Sequence, residues 1–383
     1  MTDAPSLESP CALLGGGRIS IIWARERCGL DSCMVSLRAR ASRTRPPSMS
    51  VAPAVLAAFG LDPASVVTVS PLISGGGIVT GALLRSDAQK WALKGYTTGA
   101  ARERLAMAHA LEARLAAAGF PVAALHAAPG GDTIVRVGPA WYALHDWVDG
   151  RHLSVLDRDG VTEAGPRLVG QLGSLIATLH TTSSRIPFDG VPEDPDRLLR
   201  APRATLRHVR WSRRRWLSGW QRLRLKPGKS AFDWWVLDIL PEIAQRADAF
   251  AETSIAARVH PWEIGLIHND VNWENLVLDE QLGVRAVIDF DNVVRAPWVL
   301  EVGAAAVVLV GSAPDKVEEF VSAYEDVVGH DLDRDLVRLG MELKCVRSLA
   351  TSIAAHLDGR VDPGRIAPWC HDLHDSLRAL DRA

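Results

Sequence analysis

Hydrophobic positions along the chain recur with two different periods. Short apolar runs of strand character come first, and longer runs with helical spacing come later. Strand side chains alternate every two residues and helical side chains return about every 3.6, so the order of these runs predicts a strand-rich N-terminal part and a mainly helical C-terminal part. The predicted strands cover residues 66–70, 78–85, 91–96 and 133–137, and the predicted helices cover 100–118, 167–181, 314–328, 333–357 and 366–380.

One hairpin is predicted inside the helical part. An apolar run at 276–278 is followed by a polar turn at 279–283 and a second apolar run at 284–290. Two runs of this kind on either side of a short turn are typical of paired antiparallel strands. The pairing would place Asn275, at the start of the first strand, beside Asp289, at the end of the second.

The residues before this hairpin carry the strongest chemical pattern. His268, Asp270 and Asn275 form H-x-D-x-x-x-x-N, and Asp289 follows Asn275 by fourteen residues. Phosphoryl transfer from a metal nucleotide needs one carboxylate for the attacking hydroxyl and oxygen donors for Mg²⁺. Asp and Asn also favour ordinary turns, which is the alternative interpretation. The combined spacing favours catalysis and predicts a small-molecule kinase.

A nucleotide-binding segment is predicted upstream. Gly75, Gly76 and Gly77 stand at a predicted hairpin tip, where backbone N–H groups without a neighbouring Cβ can approach phosphate oxygens. Lys94 lies inside the apolar strand W-A-L-K-G-Y, although the chain has only six lysines against thirty-seven arginines. We predict that its ammonium binds the nucleotide phosphates. A purely structural glycine turn is the alternative for the three glycines.

These motifs resemble the catalytic core of the aminoglycoside phosphotransferase and choline kinase superfamily. The resemblance implies an α+β, two-lobed, protein-kinase-like fold that uses ATP and Mg²⁺, with a small antiparallel-sheet lobe and a larger helical lobe. It implies Asp270 as the catalytic base and Asn275 and Asp289 as metal ligands. Two positions depart from the usual pattern: Asn269 replaces a glycine, and Asp291 stands where protein kinases have the glycine of D-F-G.

The resemblance also suggests the remaining contacts of the nucleotide. The segment from His145 to Val148, which includes Trp147, resembles the connection between lobes that binds the adenine edge, although Trp147 could instead be a core residue. A glutamate of the 100–118 helix is expected to pair with Lys94, and either Glu103 or Glu112, or neither, could be this partner. Downstream, Glu301 is expected to anchor the catalytic loop.

Domain boundaries follow from this order. We predict an N-terminal nucleotide-binding lobe at 51–148 and a catalytic and acceptor-binding lobe at 149–383. Residues 1–50 lack sustained periodicity and are expected to be disordered, or to precede a true start at Met49. A basic, tryptophan-rich helical insertion is expected at about 195–260. Its segment 201–230 has ten basic and no acidic residues. This composition indicates an amphipathic helical insertion or, less simply, a surface that binds nucleic acid or anionic lipid.

Composition excludes several other classes. A net charge of −2 gives no general attraction to nucleic acid or to a membrane surface, and no apolar run reaches the roughly 18 residues of a membrane span. Five cysteines without paired spacing indicate a reducing, cytoplasmic setting. The first ten residues lack the basic region of a secretory leader, and the oligomeric state is left open.

The acceptor is predicted only as a small-molecule hydroxyl. Amino alcohols, homoserine-like amino acids, sugars and aminoglycosides all remain candidates, and the arginines of 201–230 favour an acceptor with a carboxylate or phosphate at least as well as a polycation. Acidic side chains in the C-terminal helices could line its pocket or simply face solvent: Glu342, Asp372 and Asp375. Two other functions also remain: a catalytically silent kinase-like binding or scaffold protein, and a nucleotidyl transferase of the same fold.

Overall fold

The computed structural model describes residues 51–73, 79–96, 101–153, 157–158, 167–184, 194–210 and 218–382. The predictions for residues 1–50 and for Gly75, Gly76 and Gly77 lie outside the described residues. The predicted division at residues 148 and 149 stays a prediction.

The N-terminal part is a six-stranded antiparallel sheet. Its strands are β1 (Val67–Ile73), β2 (Val79–Arg85), β3 (Lys90–Tyr96), β4 (Leu125–His126), β5 (Val135–Val137) and β6 (Ala140–Asp146). The order is β1-β2-β3-β6-β4, and β5 pairs with β6. A short helix, α1 (Pro53–Ala58), precedes the sheet and packs Val55 and Leu56 against Leu84 and Leu93. The strands predicted from alternating apolar positions are confirmed.

A long helix, α2 (Ala101–Ala117), follows β3. Leu105, Ala108, Leu111 and Leu115 are buried along it at helical spacing. The helix is followed by Gly119, whose φ of 77° is the left-handed conformation that glycine adopts most easily after a helix. The helix predicted over 100–118 is therefore confirmed.

The C-terminal part is mainly helical. Its helices are α3 (Leu168–Ser183), α4 (Arg197–Arg210), α5 (Gly219–Leu225), α6 (Ala231–Glu252), α7 (Trp298–Leu309), α8 (Pro314–Val328), α9 (Arg334–Leu357) and α10 (Pro363–Arg382). The predicted basic insertion therefore contains helices α4 to α6, and Leu206, Val209 and Leu223 pack into the core. None of the described helices is both long enough and apolar enough to span a bilayer.

Two small antiparallel ribbons flank the H-x-D-x-x-x-x-N motif of residues 268–275. Strand β7 (Ile264–Ile267) pairs with β10 (Val294–Pro297), and β8 (Leu276–Leu278) pairs with β9 (Val284–Val287). The predicted hairpin is confirmed, but the prediction that its second strand continues to Phe290 is wrong. Asp289 has a left-handed φ of 68°, so the extended chain ends and a short 3₁₀ turn begins at Phe290.

Helices α7 and α9 cross at unusually close range. This close contact holds in place the two helices that pack beside the loop between β7 and β8. A Cβ added to Gly303 would lie 2.1 Å from the carbonyl oxygen of Val337, and one added to Gly340 would lie 2.8 Å from the carbonyl oxygen of Leu300. Both distances are shorter than any ordinary contact, so only glycine permits this crossing.

The close crossing leads to a stability prediction. Gly303→Ala should destabilise the protein by about 1–3 kcal/mol, because the new methyl group forces the two helices apart. Gly170→Ala is the matched control, since its added Cβ would lie 3.7 Å from Ala323 Cβ, an ordinary contact. Urea unfolding should show a lower midpoint for Gly303→Ala only. Equal midpoints for the two variants would contradict the proposed close packing.

Candidate active site

The catalytic loop runs from β7 to β8 and is fixed at its first residues. His268 is fully buried, and its Nε2 donates a hydrogen bond to the carbonyl oxygen of Ile288 at 3.0 Å. Asn269 has a φ of 63°, a conformation in which asparagine is one of the few tolerated non-glycine residues. This explains why asparagine can stand where the family usually has glycine.

The side chain of Asn269 gives this position further contacts. Its Nδ2 donates to the carbonyl oxygen of Asn292 at 3.1 Å, and its Oδ1 accepts from Arg347 Nη1 at 2.5 Å. Arg347 also donates to the Asn269 carbonyl oxygen at 3.0 Å. Asparagine thus combines the backbone conformation of glycine with two contacts that glycine lacks.

The carboxylate of Asp270 lies at the centre of several donors. Lys344 Nζ is 3.4 Å from Oδ1, and the amide of Asn272 is 3.3 Å from the same oxygen. The amides of Asn292 and Asn275 approach Oδ2 at 3.4 and 3.5 Å. The side chain of Asp270 keeps 16% of its surface exposed.

Asn275 and Asp289 are brought together by the β8–β9 ribbon. The backbone N–H of Ile288 donates to the Asn275 carbonyl oxygen at 2.9 Å, and Asp289 is the next residue. Asn275 Nδ2 donates to the Asp270 carbonyl oxygen at 2.8 Å, which directs the amide Oδ1 away from that carbonyl. The hairpin therefore places Asn275 and Asp289, an amide and a carboxylate with hard oxygen donors, at the same end of the ribbon.

Lys94 joins the N-terminal sheet to this ribbon. Its side chain is 4% exposed, and Nζ lies 2.8 Å from Asp289 Oδ1 and 3.3 Å from Asp291 Oδ2. Tyr96 OH donates to the carboxylate of Asp291 at 3.1 Å. Four side chains, two from β3 and two that follow β9, thus form one charged cluster across a separation of 195 residues in sequence.

The pKa values in this cluster report its charge balance. Burial alone would raise the pKa of Asp289, but the positive charge and hydrogen bond of Lys94 lower it overall. The pKa of Asp291 is raised, first by burial and then by the neighbouring carboxylates of Asp289 and Glu112. The ammonium of Lys94 thus interacts with three carboxylates, those of Asp289, Asp291 and Glu112.

Glu112 is buried and accepts a hydrogen bond from His145 Nε2 at 3.1 Å. Its negative charge also raises the pKa of Lys94, although burial opposes this and Asp289 contributes more. Of the two predicted partners of Lys94, Glu112 therefore lies in its electrostatic environment, whereas the side chain of Glu103 lies outside the described part. The side chain of His145 faces Glu112, and its backbone lies within β6 opposite Ala92 of β3 and Leu125 of β4.

A pocket lies between the sheet and the ribbon. Lys94 and Asp289 line it together with apolar side chains from both parts: Ala92, Ala123, Val148, Val277, Ile288 and Phe290. Trp147 also lines the pocket, but its backbone N–H donates to the Lys90 carbonyl oxygen at 3.0 Å. This amide is already used within the protein, so Val148 is the better candidate for a backbone contact to adenine.

Comparison with known proteins identifies the family. The sequence model of the phosphotransferase enzyme family matches residues 71–338, which is more than two thirds of the chain and includes Lys94, the catalytic loop and the ribbon. The chain belongs to this family. This phosphotransferase is therefore a small-molecule kinase, as the sequence motifs predicted. No curated protein sequence matches it.

Solved structures give the same fold. An aminoglycoside phosphotransferase from Alicyclobacillus acidocaldarius is 18% identical with a TM-score of 0.58, over 89% of this chain and 98% of that one. A spectinomycin phosphotransferase in complex with ADP and spectinomycin is 14% identical with a TM-score of 0.56, over 88% and 95%. A microcompartment-associated aminopropanol kinase is 16% identical with a TM-score of 0.52, over 86% and 94%. The predicted two-lobed, protein-kinase-like α+β fold is confirmed.

Glu301 of α7 anchors the catalytic loop of the phosphotransferase. It is 3% exposed and accepts hydrogen bonds from the backbone N–H groups of His268, at 3.0 Å, and of Asn269. His180 Nε2 lies 2.9 Å from the same carboxylate, and His180 Nδ1 lies 2.8 Å from Tyr324 OH. Burial would raise the pKa of Glu301, but the contacts with His180 and the loop lower it overall.

Replacing Glu301 should therefore disturb both stability and activity. Glu301→Gln is expected to lower the free energy of unfolding by about 3 kcal/mol, because an amide cannot accept all of these donors and leaves one of them unsatisfied. The pKa of Glu301 in the folded protein is below its usual 4.5. The Glu301 carboxylate therefore stabilises the folded protein fully above about pH 4.5, and this stabilisation is lost as the pH falls through the folded-state pKa. The difference in the free energy of unfolding between Glu301→Gln and wild type should therefore become smaller below about pH 4.5.

Glu318→Gln provides the control for the Glu301 prediction. Glu318 is 57% exposed and pairs with Arg334 on the surface. Glu318→Gln should therefore lower the free energy of unfolding by less than about 1 kcal/mol. Urea unfolding at several pH values measures both variants. A Glu301→Gln effect as small as that of Glu318→Gln would show that the loop does not depend on this carboxylate.

Two site residues were missed by sequence reasoning. Lys344 and Arg347 of α9 both contact the catalytic loop, although the sequence places them 74 and 78 residues away from their partners. One signal was available for Lys344: it lies in the run M-E-L-K-C-V, at a position that helical spacing assigns to the buried face. A lysine on a buried face of a lysine-poor chain indicates a charged partner nearby.

Proposed function

We propose that the phosphotransferase transfers the γ-phosphoryl group of ATP, with Mg²⁺, to a hydroxyl group of a small molecule. The observation that carries this proposal is the ion pair between Lys94 of the sheet and Asp289, which follows the ribbon. Asn275 connects the same ribbon to the loop of Asp270, because it is hydrogen-bonded to Ile288 and to the Asp270 carbonyl oxygen. The ADP bound to the structurally similar spectinomycin phosphotransferase supports an adenine nucleotide as donor.

The nucleotide is proposed to occupy the pocket between sheet and ribbon. Val148 would offer backbone groups to the adenine edge, and Trp147 and Ile288 would contact the ring. Lys94 would bind the phosphates as a point charge at the polar end of this pocket. The three glycines at 75 to 77 would cover the phosphates, as predicted from sequence.

Asn275 and Asp289 are the proposed metal ligands. Their donor atoms are an amide oxygen and a carboxylate, the ligand types that Mg²⁺ selects. The carboxylates of Asp289 and Asp291 both lie within 3.3 Å of the ammonium of Lys94, and a further cation would relieve the repulsion between them. Mg²⁺ at these residues would neutralise the negative charge of the phosphates.

Asp270 is the proposed catalytic base. Its carboxylate accepts the proton of the acceptor hydroxyl while the acceptor oxygen forms a bond to the γ-phosphorus. The bond from that phosphorus to the bridging oxygen breaks, and ADP leaves. The amides around Asp270 hold its carboxylate in place, which favours the in-line geometry that lowers the barrier of this reaction.

A panel of acceptors tests the proposed function. The protein is incubated with Mg·ATP and amino alcohols, homoserine, sugars or aminoglycosides, and products are identified by mass. We expect one acceptor class to gain a single phosphoryl group as ADP forms. Products carrying a nucleotidyl group would instead show nucleotidyl transfer, and a protein that binds no Mg·ATP and consumes none would be a silent relative. A cytoplasmic setting stays a prediction from cysteine usage.

A further inference from the structure

Helix α9 contacts two consecutive residues of the catalytic loop through its side chains. Lys344 Nζ lies 3.4 Å from Asp270 Oδ1. Arg347, one turn further along the helix, donates to the side-chain oxygen and to the carbonyl oxygen of Asn269. The surroundings of the proposed base therefore depend on a helix whose lysine lies 74 residues later in the chain.

Lys344 is buried, although it carries a charge. It is 4% exposed, whereas Arg338 and Glu342 of the same helix pair with each other and keep 42% and 21% of their side chains exposed. Burying an ammonium is unfavourable unless an opposite charge and hydrogen bonds offset the loss of water. The carboxylate of Asp270 supplies such a charge, so the ammonium and the proposed base stabilise each other.

The close crossing of α7 and α9 fixes where this ammonium lies. Gly340 touches α7 at the carbonyl oxygen of Leu300, and Lys344 follows Gly340 by about one helical turn. Glu301, the next residue of α7, accepts from the backbone of the same loop. The two packed helices thus hold the loop backbone and the side chain of Asp270 in a fixed relation to each other.

The contact with Lys344 differs in kind from the other contacts of the Asp270 carboxylate. The side-chain amides of Asn272, Asn275 and Asn292 approach it at 3.3, 3.5 and 3.4 Å, but these donors are neutral. A positive charge within about 4–6 Å favours the ionised form of a carboxylate, and water screens a buried pair poorly. The ionised form is the one that accepts the proton of an acceptor hydroxyl.

We propose that Lys344 is a positioning residue of the phosphotransferase, whose ammonium orients the carboxylate of Asp270 and keeps it ionised for proton transfer. Lys344 acts through Asp270 and needs no contact with nucleotide or acceptor. The proposal rests on the proposed kinase function, because it takes Asp270 as the base of that reaction.

A pH profile of Lys344→Met tests this role, because methionine keeps the length of the side chain without its charge. ADP formation from Mg·ATP is measured with the acceptor that the panel identifies, and with water when no acceptor is added. We expect the acid side of the kcat/KM profile to move to higher pH by about one unit. At neutral pH kcat should fall by about 10–100-fold through lost orientation, whereas KM for Mg·ATP should change little.

Two further variants separate positioning from packing. Lys344→Arg keeps the positive charge and should return the acid side of the profile to that of wild type, although kcat stays lower because the guanidinium is larger. Lys316→Met, in the first turn of α8, makes the same exchange outside the active site and should change neither quantity. A lysine that only fills space would lower kcat when replaced and would leave the pH profile unmoved.

A double-mutant cycle in urea unfolding tests the pair without any acceptor. Lys344→Met should lower the unfolding midpoint of the wild-type protein, because Asp270 loses the ammonium. The same change should raise the midpoint of Asp270→Asn, in which the buried ammonium has already lost this carboxylate. In the kinetics, Lys344→Met should lower turnover no further once Asp270→Asn is present.

The outcomes separate the role of Lys344 from the kinase function. An unmoved acid side in Lys344→Met, or a midpoint that falls equally in both backgrounds, would overturn the role of Lys344 and leave the kinase function standing. A wild-type protein that neither binds nor consumes Mg·ATP would overturn the kinase function itself.

Discussion

Replacing Asp270 with asparagine is expected to lower the turnover of phosphoryl transfer by about 10²–10⁴-fold, because the amide cannot accept the proton of the acceptor hydroxyl. Asparagine has nearly the shape of aspartate, so the loop contacts of Asn272 and Asn275 should largely remain. Affinity for Mg·ATP should change little, since the proposed metal ligands and Lys94 are untouched. Steady-state kinetics and nucleotide titration measure the two effects separately.

The charge of Asp270 also balances a buried ammonium, and the experiment must separate this role from catalysis. Lys344 Nζ lies 3.4 Å from Asp270 Oδ1, so Asp270→Asn leaves that charge less compensated and should lower stability. Asp270→Glu keeps the negative charge and displaces the carboxylate, and we expect a folded protein with low turnover. Asp279→Asn in the β8–β9 turn is the control for the substitution itself. Wild-type turnover in Asp270→Asn would refute the base assignment.

Replacing Asp289 with asparagine should remove the metal dependence of nucleotide binding. The variant loses the carboxylate proposed to bind Mg²⁺ and the charge that accepts from Lys94 Nζ at 2.8 Å. Asparagine tolerates the left-handed conformation of this position, so the ribbon should keep its shape. We expect the affinity for Mg·ATP to fall by about 10–100-fold, the range seen when a metal site loses a supporting group. Turnover should fall with it.

Calorimetry with and without Mg²⁺ measures this second effect. Metal-free ADP should bind the variant at least as well as wild type, because one negative charge near the phosphates has been removed. Asp279→Asn is again the control, since its side chain caps a turn through Gln281 and Gly283 and contacts no residue of the cleft. An unchanged response of Asp289→Asn to Mg²⁺ would exclude Asp289 as a metal ligand.

Much of the fold could be predicted because local periodicity decides it. Strands β2 and β3, helix α8 and the β8–β9 hairpin follow directly from the spacing of apolar residues and from their turns. The placement of Asn275 next to Ile288 and Asp289 could also be predicted, because these residues flank one hairpin. The contact of Lys94 with Asp289 was not predicted, since no local pattern connects residues 195 positions apart and a glutamate was the expected partner.

Other features depend on tertiary contacts that no single segment encodes. The second hairpin strand ends early because Asp289 turns into the left-handed region, where its carboxylate meets Lys94. The roles of Glu112 and Arg347 depend on which helix faces pack against the sheet and the loop. Asn269 is a further example. Why asparagine can stand at a position where glycine was expected becomes clear only from its φ and from its contact with Arg347.

The most direct measurement is a crystal structure with Mg²⁺ and a non-hydrolysable ATP analogue. We expect the metal to be bound by Asn275 Oδ1 and the carboxylate of Asp289 at about 2.0–2.1 Å, with Lys94 on the phosphates and the γ-phosphate facing Asp270. A nucleotide bound outside this cleft, or a metal that contacts neither Asn275 nor Asp289, would contradict the proposed site.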